Sequence, residues 1–134
     1  MNRVMATGVF DLLHLGHIHY LQESKSLGDY MIVVVATDEM ARKNGKELIF
    51  SEDYRRNMVS SIRYVDDAII GNQGDIYKTV EQIKPDIITL LSIIFCLIYL
   101  VPVGSAELNF EHLTTFTFSP RLRHSSSIIF SLND

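Results

Sequence analysis

Residues 30–36 run without a polar break from Tyr30 through Met31, Ile32, Val33, Val34 and Val35 to Ala36. A β-branched run that does not alternate suits a strand covered on both faces, where neither side meets water. Upstream, residues 3–7 are β-prone and Gly8 supplies a turn. From Gly16 onward the apolar Ile18, Leu21 and Leu27, set among the polar Gln22, Glu23 and Lys25, predict an amphipathic helix, with Gly28 expected as its left-handed stop. Residues 1–36 therefore read as a strand, a helix and a second strand, which is a right-handed parallel crossover unit.

The alternation continues. A polar stretch over residues 38–47 leads to Ser51, which with Asp53 and Tyr54 predicts a helix start, and the helix runs through Arg55, Met58, Val59 and Ile62. Residues 65–70 make a third strand. Residues 76–83 return to helical spacing through Val80, and Lys84, Pro85 and Asp86 end that helix ahead of a fourth buried strand over residues 87–90. Strands and helices in this order, with short connections, predict an α/β fold with a doubly wound parallel sheet. Its ligands sit beyond the carboxyl ends of the strands, where the Gly8 loop lies.

The chain is 134 residues long with a formal net charge of -4. That length predicts a single domain. The acidic balance argues against nucleic acid and anionic membranes, both of which favour basic surfaces, while a small anionic ligand needs only a local basic cluster. One cysteine, Cys96, excludes an internal disulfide framework, and the first 30 residues lack a basic and apolar leader, so a cytoplasmic setting is expected. After Leu90 the character changes: residues 91–103 are almost wholly apolar, no lysine follows Lys84, and Ser, Thr and Phe dominate the remainder. Residues 87–103 are at the short limit for a membrane-spanning helix, and buried strands fit them as well.

The sharpest local pattern is His14, Leu15, Gly16 and His17. Two imidazoles flanking a glycine at a loop-to-helix junction can turn toward one anion at the helix amino terminus, where backbone N–H groups and the dipole already favour negative charge. Phosphate is the natural anion. In a nucleotidyl transfer, donors fixed on the oxygens that gain charge lower the barrier, and no covalent nucleophile is needed. Two other readings stand beside it: a capping histidine with a satisfied surface partner, and a zinc site, for which no third ligand lies nearby.

Gly8, Val9, Phe10 and Asp11, followed by Leu12, Leu13 and the histidine pattern, resemble the signature of the cytidylyltransferase-like nucleotidyltransferase superfamily. The resemblance continues through residues 36–39, 54–56 and 62–66, and covers about residues 1–90. It implies a Rossmann-like core over residues 1–90, with residues 91–134 as a divergent part of the same domain. It also implies that His14 and His17 stabilise the transferring phosphates, and that Gly8, Val9, Phe10, Asp11 and Gly16 bind the nucleotide. Lys46 falls at a phosphate-binding position, and Arg55 and Arg63 fall near acceptor or triphosphate. Asp38 and Asp66 resemble positions near the nucleotide, with ordinary strand-end aspartates as the alternative, and Arg42 and Lys43 read as solvated.

Two small subfamilies are most similar. They are the archaeal-type FAD synthases, which adenylylate FMN, and the glycerol-3-phosphate cytidylyltransferases. Residues 55–59, 68–71 and 84–90 look more like the former, so ATP and FMN are expected as substrates ahead of CTP and glycerol 3-phosphate. The resemblance further implies Mg²⁺ carried by the triphosphate, no dedicated metal motif, and a homodimer.

The sequence departs from the family pattern after the fourth strand. Leu91, Ser92, Ile93 and Ile94 do not supply the usual base-holding loop, whereas Ser125, Ser126 and Ser127 match a Ser/Thr-rich turn that would cradle the triphosphate, or else form a serine-rich tail. A replaced downstream segment, as after a reading-frame change, is one explanation of the shift. It would leave a catalytically impaired nucleotide-binding or interaction protein.

Overall fold

The computed structural model describes residues 1–91 and 116–118. Strand β1 (Arg3–Gly8) is followed by helix α1 (Leu15–Ser26), strand β2 (Tyr30–Val35), helices α2 (Asp38–Lys43) and α3 (Glu52–Ser60), and strand β3 (Asp67–Ile70). Helix α4 (Ile76–Ile83), strand β4 (Ile87–Leu90) and strand β5 (Phe116–Phe118) complete the described elements. They form one sheet in the order β3-β2-β1-β4-β5. The first four strands are parallel, with Gly8 beside Val35, Val35 beside Ile70 and Thr7 beside Leu90 at their carboxyl ends. The doubly wound parallel arrangement expected from the alternation is thus present, and β5 adds an antiparallel edge that places Phe118 beside Ile88 and Phe116 beside Leu90.

The alternation of side chains across the strands divides the core in two. Val4, Ala6, Met31, Val33, Val35 and Ala68 face one side and pack with Tyr20 and Leu21 of α1 and Val59 of α3. Met5, Val34, Ile32, Ile69 and Ile88 face the other side and pack with Val80 and Ile83 of α4. Cover on both faces is why residues 30–35 carry no polar position. Helix α3 begins as its sequence predicts, with the Ser51 hydroxyl accepting the Tyr54 N–H.

Three expectations are corrected. Residues 38–47 hold a helix, α2, capped by the Thr37 hydroxyl, with Asp38 and Glu39 in its first turn and Arg42 and Lys43 in its last, so short-range polar chemistry rather than an apolar face makes it helical. Gly28 is not a left-handed stop: α1 ends at Leu27 in a right-handed conformation. Glycine is required at 28 because a Cβ there would lie 2.7 Å from the Asn2 carbonyl oxygen and 2.6 Å from a Val4 methyl. Finally, α1 does not bury an apolar stripe. Its inner face is Gly16, His17, Tyr20, Leu21 and Ser24, while Leu27 is exposed.

That inner face is polar because β4 answers it. The Tyr20 hydroxyl donates to the Thr89 carbonyl at 2.9 Å and accepts the Thr7 N–H at 3.2 Å, and the Ser24 and Thr89 hydroxyls lie 2.9 Å apart. Burial pushes the Tyr20 phenol up to about 12. A buried polar group is tolerated only when paired, so this set also fixes the register of α1 on β1 and β4.

No helix among the described residues is long and apolar enough to cross a membrane. Within residues 87–103, the first four form strand β4. The remainder of that apolar run, the serine cluster at 125–127 and most of the 91–134 segment lie outside the described residues.

Candidate active site

At the carboxyl end of β1 the chain makes a turn that its sequence dictates. Phe10 adopts φ 54, a left-handed conformation that a non-glycine residue takes only under constraint. The turn drives the Phe10 ring inward, where it is buried with its centroid 5.4 Å from His17 and 6.5 Å from Tyr20. Gly8 is needed for the same turn, because a Cβ there would meet the Phe10 ring at 2.8 Å.

His14 is the N-cap of α1. Its Nδ1 accepts the Gly16 N–H at 3.0 Å, and Nδ1 of His17 accepts the His14 N–H at 3.3 Å, so the two rings build a reciprocal capping box. The ring centroids lie 4.0 Å apart. Since its Nδ1 is an acceptor, a neutral His17 ring carries its proton on Nε2. His17 is buried, and burial, reinforced by the neighbouring His14 and by the Lys46 charge, lowers its pKa to about 4. His17 is therefore neutral at physiological pH. The Gly16 N–H, expected as an anion donor, is taken up by the His14 ring.

The electrostatic influence of Lys46 on His17 follows from the local fold. Helix α2 ends at Asn44, Gly45 takes φ 76, and the Lys46 N–H returns to the Ala41 carbonyl at 3.0 Å. This glycine-terminated turn sends the chain back toward β1. Asp11 then holds the returning segment, its carboxylate accepting the Ile49 N–H at 3.0 Å and the Phe50 N–H at 2.9 Å. Lys46 is exposed and His17 buried.

Arg55 occupies a different place from the one expected for a ligand contact. It is completely buried, and its guanidinium donates to the carbonyls of Phe50 (3.1 Å), Val9 (2.7 Å) and Ala36 (2.9 Å) and pairs with Asp38 at 2.7 Å. One fork thus ties together the loops after β1 and β2 and the segment leading into α3. This is a role for arginine, whose planar donors reach several acceptors at once.

Arg63 is also displaced from the site. It is exposed, stacks over Tyr64 at 4.8 Å, and lies just ahead of Asp66, which accepts the Met31 N–H at the amino end of β2. The cluster around His14 is at the opposite end of the strands. Asp66 is paired with Lys25. Burial works to raise its pKa, and the bonds from Lys25 and Met31 outweigh this and hold it below the ordinary value. Both Asp38 and Asp66 are thus bound within the fold. Lys43 pairs with Glu39 on the surface, and Arg42 is exposed, as a solvated reading requires.

Of the expected site residues, the structure brings Gly8, Val9, Phe10, Asp11, His14, Gly16, His17 and Lys46 together. Sequence reasoning missed the Tyr20, Ser24 and Thr89 set and the link from Arg55 to Asp38. The spacing from His17 to Tyr20 would have placed both on one face of α1, but the second pair joins positions with no sequence periodicity between them. Among the described residues no three His, Cys, Asp or Glu side chains are grouped to hold a metal ion.

A family model of cytidylyltransferase-like proteins matches residues 5–129. An FAD synthase of Picrophilus torridus is 65% identical over 88 residues, covering 66% of this chain and 63% of that protein. FAD synthases of Thermoplasma volcanium and Thermoplasma acidophilum are 63% and 62% identical over 90 residues, each match covering 67% of this chain and 63% of the relative. The chain thus spans less than two thirds of the length of these curated relatives. A solved structure from Thermoplasma volcanium, described as a lipopolysaccharide core biosynthesis protein, superposes with a TM-score of 0.65 at 62% identity, covering 66% of this chain and 72% of the other. The fold, the histidine pair on its first helix and the extent of the family match agree: the chain belongs to the cytidylyltransferase-like family.

Proposed function

We propose that the chain is an ATP:FMN adenylyltransferase. The observation that carries this reading is the pair of imidazoles at the start of α1, 4.0 Å between centroids, with the Lys46 charge acting on His17. Two imidazoles and an ammonium suit a polyphosphate. Identities of 65% over 88 residues and 63% over 90 residues with FAD synthases favour adenylyl transfer over cytidylyl transfer.

In the reaction a phosphate oxygen of FMN attacks the α-phosphorus of ATP in line, the bond to the bridging oxygen breaks, and pyrophosphate leaves with that electron pair. Charge grows on the equatorial and bridging oxygens. His14 and His17 donate to these oxygens, held by the capping box so that little reorganisation is needed as the charge develops. Lys46 neutralises the leaving pyrophosphate. Gly8, Val9 and Gly16 let backbone approach the nucleotide, Asp11 holds the Lys46 segment in place, and Arg55 acts as a positioning residue. A divalent cation, Mg²⁺ in this reading, is held through triphosphate oxygens and water, which is how a cation that keeps most of its hydration is usually bound. Ser125, Ser126 and Ser127 would add hydroxyl donors for the triphosphate, and the working unit is a homodimer.

The test is product analysis by mass spectrometry. ATP with FMN should yield FAD and pyrophosphate, while CDP-glycerol from CTP with glycerol 3-phosphate would select the cytidylyltransferase reading. A second class of function is favoured by one observation: the matches to individual relatives span only 88 or 90 residues. A protein that binds nucleotide without turning it over would bind ATP in calorimetry and form neither product.

A further inference from the structure

The segment that Asp11 holds against the β1 loop continues into an aromatic pair that the phosphate chemistry does not use. Phe50 and Tyr54 stack with centroids 4.4 Å apart and planes 15° from parallel. Phe50 is half-buried and Tyr54 is 47% exposed, so Tyr54 is the more open ring of the pair. Met58, one helical turn further along α3, is also exposed and extends an apolar strip at positions 50, 54 and 58. Part of the stacking fixes the entry of the chain into α3, in the manner of a hydrophobic staple. A staple, however, gains nothing from an open ring or from an exposed methionine beyond it.

Position ties the strip to the transfer site. The Phe50 N–H is bonded to Asp11, close in sequence to His14, and the Phe50 carbonyl is bonded to Arg55, whose guanidinium also holds Val9. A ligand whose phosphate lies at the histidine pair and whose ring hangs on a flexible polyol chain would reach past Asp11 toward this strip. We propose that Phe50 and Tyr54 form the stacking platform for the flat heteroaromatic ring of the acceptor, with Tyr54 as the more open ring. This rests on the FMN reading above and adds a residue that selects a flavin phosphate over an acceptor without a ring.

The chain contains no tryptophan but six tyrosines, so the part of any FMN quenching that belongs to Tyr54 is read from variants at that position. FMN titrated into the full chain should lose fluorescence on binding, since a stacked tyrosine quenches the excited flavin. Tyr54→Leu should weaken FMN binding by about tenfold or more, the usual scale for losing one aromatic stacking partner, while ATP binding stays as it was. Tyr54→Phe should bind FMN nearly as well as the parent but recover part of the fluorescence. Unchanged FMN affinity in Tyr54→Leu would overturn the platform alone. The same result with a changed sedimentation profile would also overturn it and would assign the strip to a contact between copies of the chain. Absence of FMN binding by the parent chain, with ATP still bound, would overturn the FMN reading itself and the platform with it.

Discussion

At His17, burial and the proposed phosphate-binding role act on the same ring. Its proton-binding tendency is suppressed first by desolvation and then by the neighbouring His14 and Lys46, which keeps the ring neutral. Replacing it with alanine should leave the fold in place by circular dichroism and cut turnover by about 10²-fold or more, the usual scale for losing one preorganised donor to developing charge. The depressed pKa also has a stability consequence. Between its ordinary 6.5 and about 4, the unfolded chain binds a proton at this ring that the folded chain does not. This contribution to stability is therefore complete above pH 6.5 and is lost as the pH falls through that window. His17→Asn keeps an acceptor for the His14 N–H but cannot titrate, so its melting temperature should fall less steeply between pH 6.5 and 4 than that of the parent chain.

At the level of elements, Arg55 shows how a helix can organise loops it does not belong to. Its side chain leaves α3 and reaches three carbonyls and a carboxylate from separate segments, so the carboxyl edge of the sheet is knitted by one residue. Arg55→Met should destabilise the protein by about 3 kcal/mol in urea titration, since removing one member of a buried ion pair strands the other together with several acceptors. Arg55→Lys should restore little of this, because an ammonium lacks the planar fork. The helix α1 makes a related point. Its inner face is specified by hydrogen bonds between Tyr20, Ser24 and Thr89 as much as by apolar contact.

For the whole molecule, the site lies at the carboxyl ends of the central strands, where β1 and β2 part from their loops and the sheet order places β1 between β2 and β4. Ligand binding there engages the β1 loop, α1 and the Lys46 segment together, so it should stabilise the entire fold. Saturation with Mg-ATP at a hundred times its Kd should add about 2.7 kcal/mol to unfolding, visible as a raised melting temperature. The double variant His14→Ala/His17→Ala should lose most of that rise while the parent keeps it. A rise of equal size in both would remove the imidazoles from nucleotide binding.

The order of strands and helices, the parallel sheet and the histidine pair were legible in the sequence because each is a local pattern. Unbroken β-branched runs mark buried strands, Ser51 marks a helix start, and His14 with His17 share one turn of helix. Tertiary structure decided the rest. Arg55 and Arg63 look alike as basic residues at the two ends of one helical segment, yet one is buried as a tie between loops and the other is exposed at the far end of the strands. The left-handed Phe10, the clash that makes Gly28 a glycine and the meeting of Tyr20 with Thr89 all depend on atoms distant in the chain. Local pattern determines which element forms, because it follows from the periodicity of neighbours. Which side chain reaches a site depends on the packing of elements against each other, which no single segment encodes.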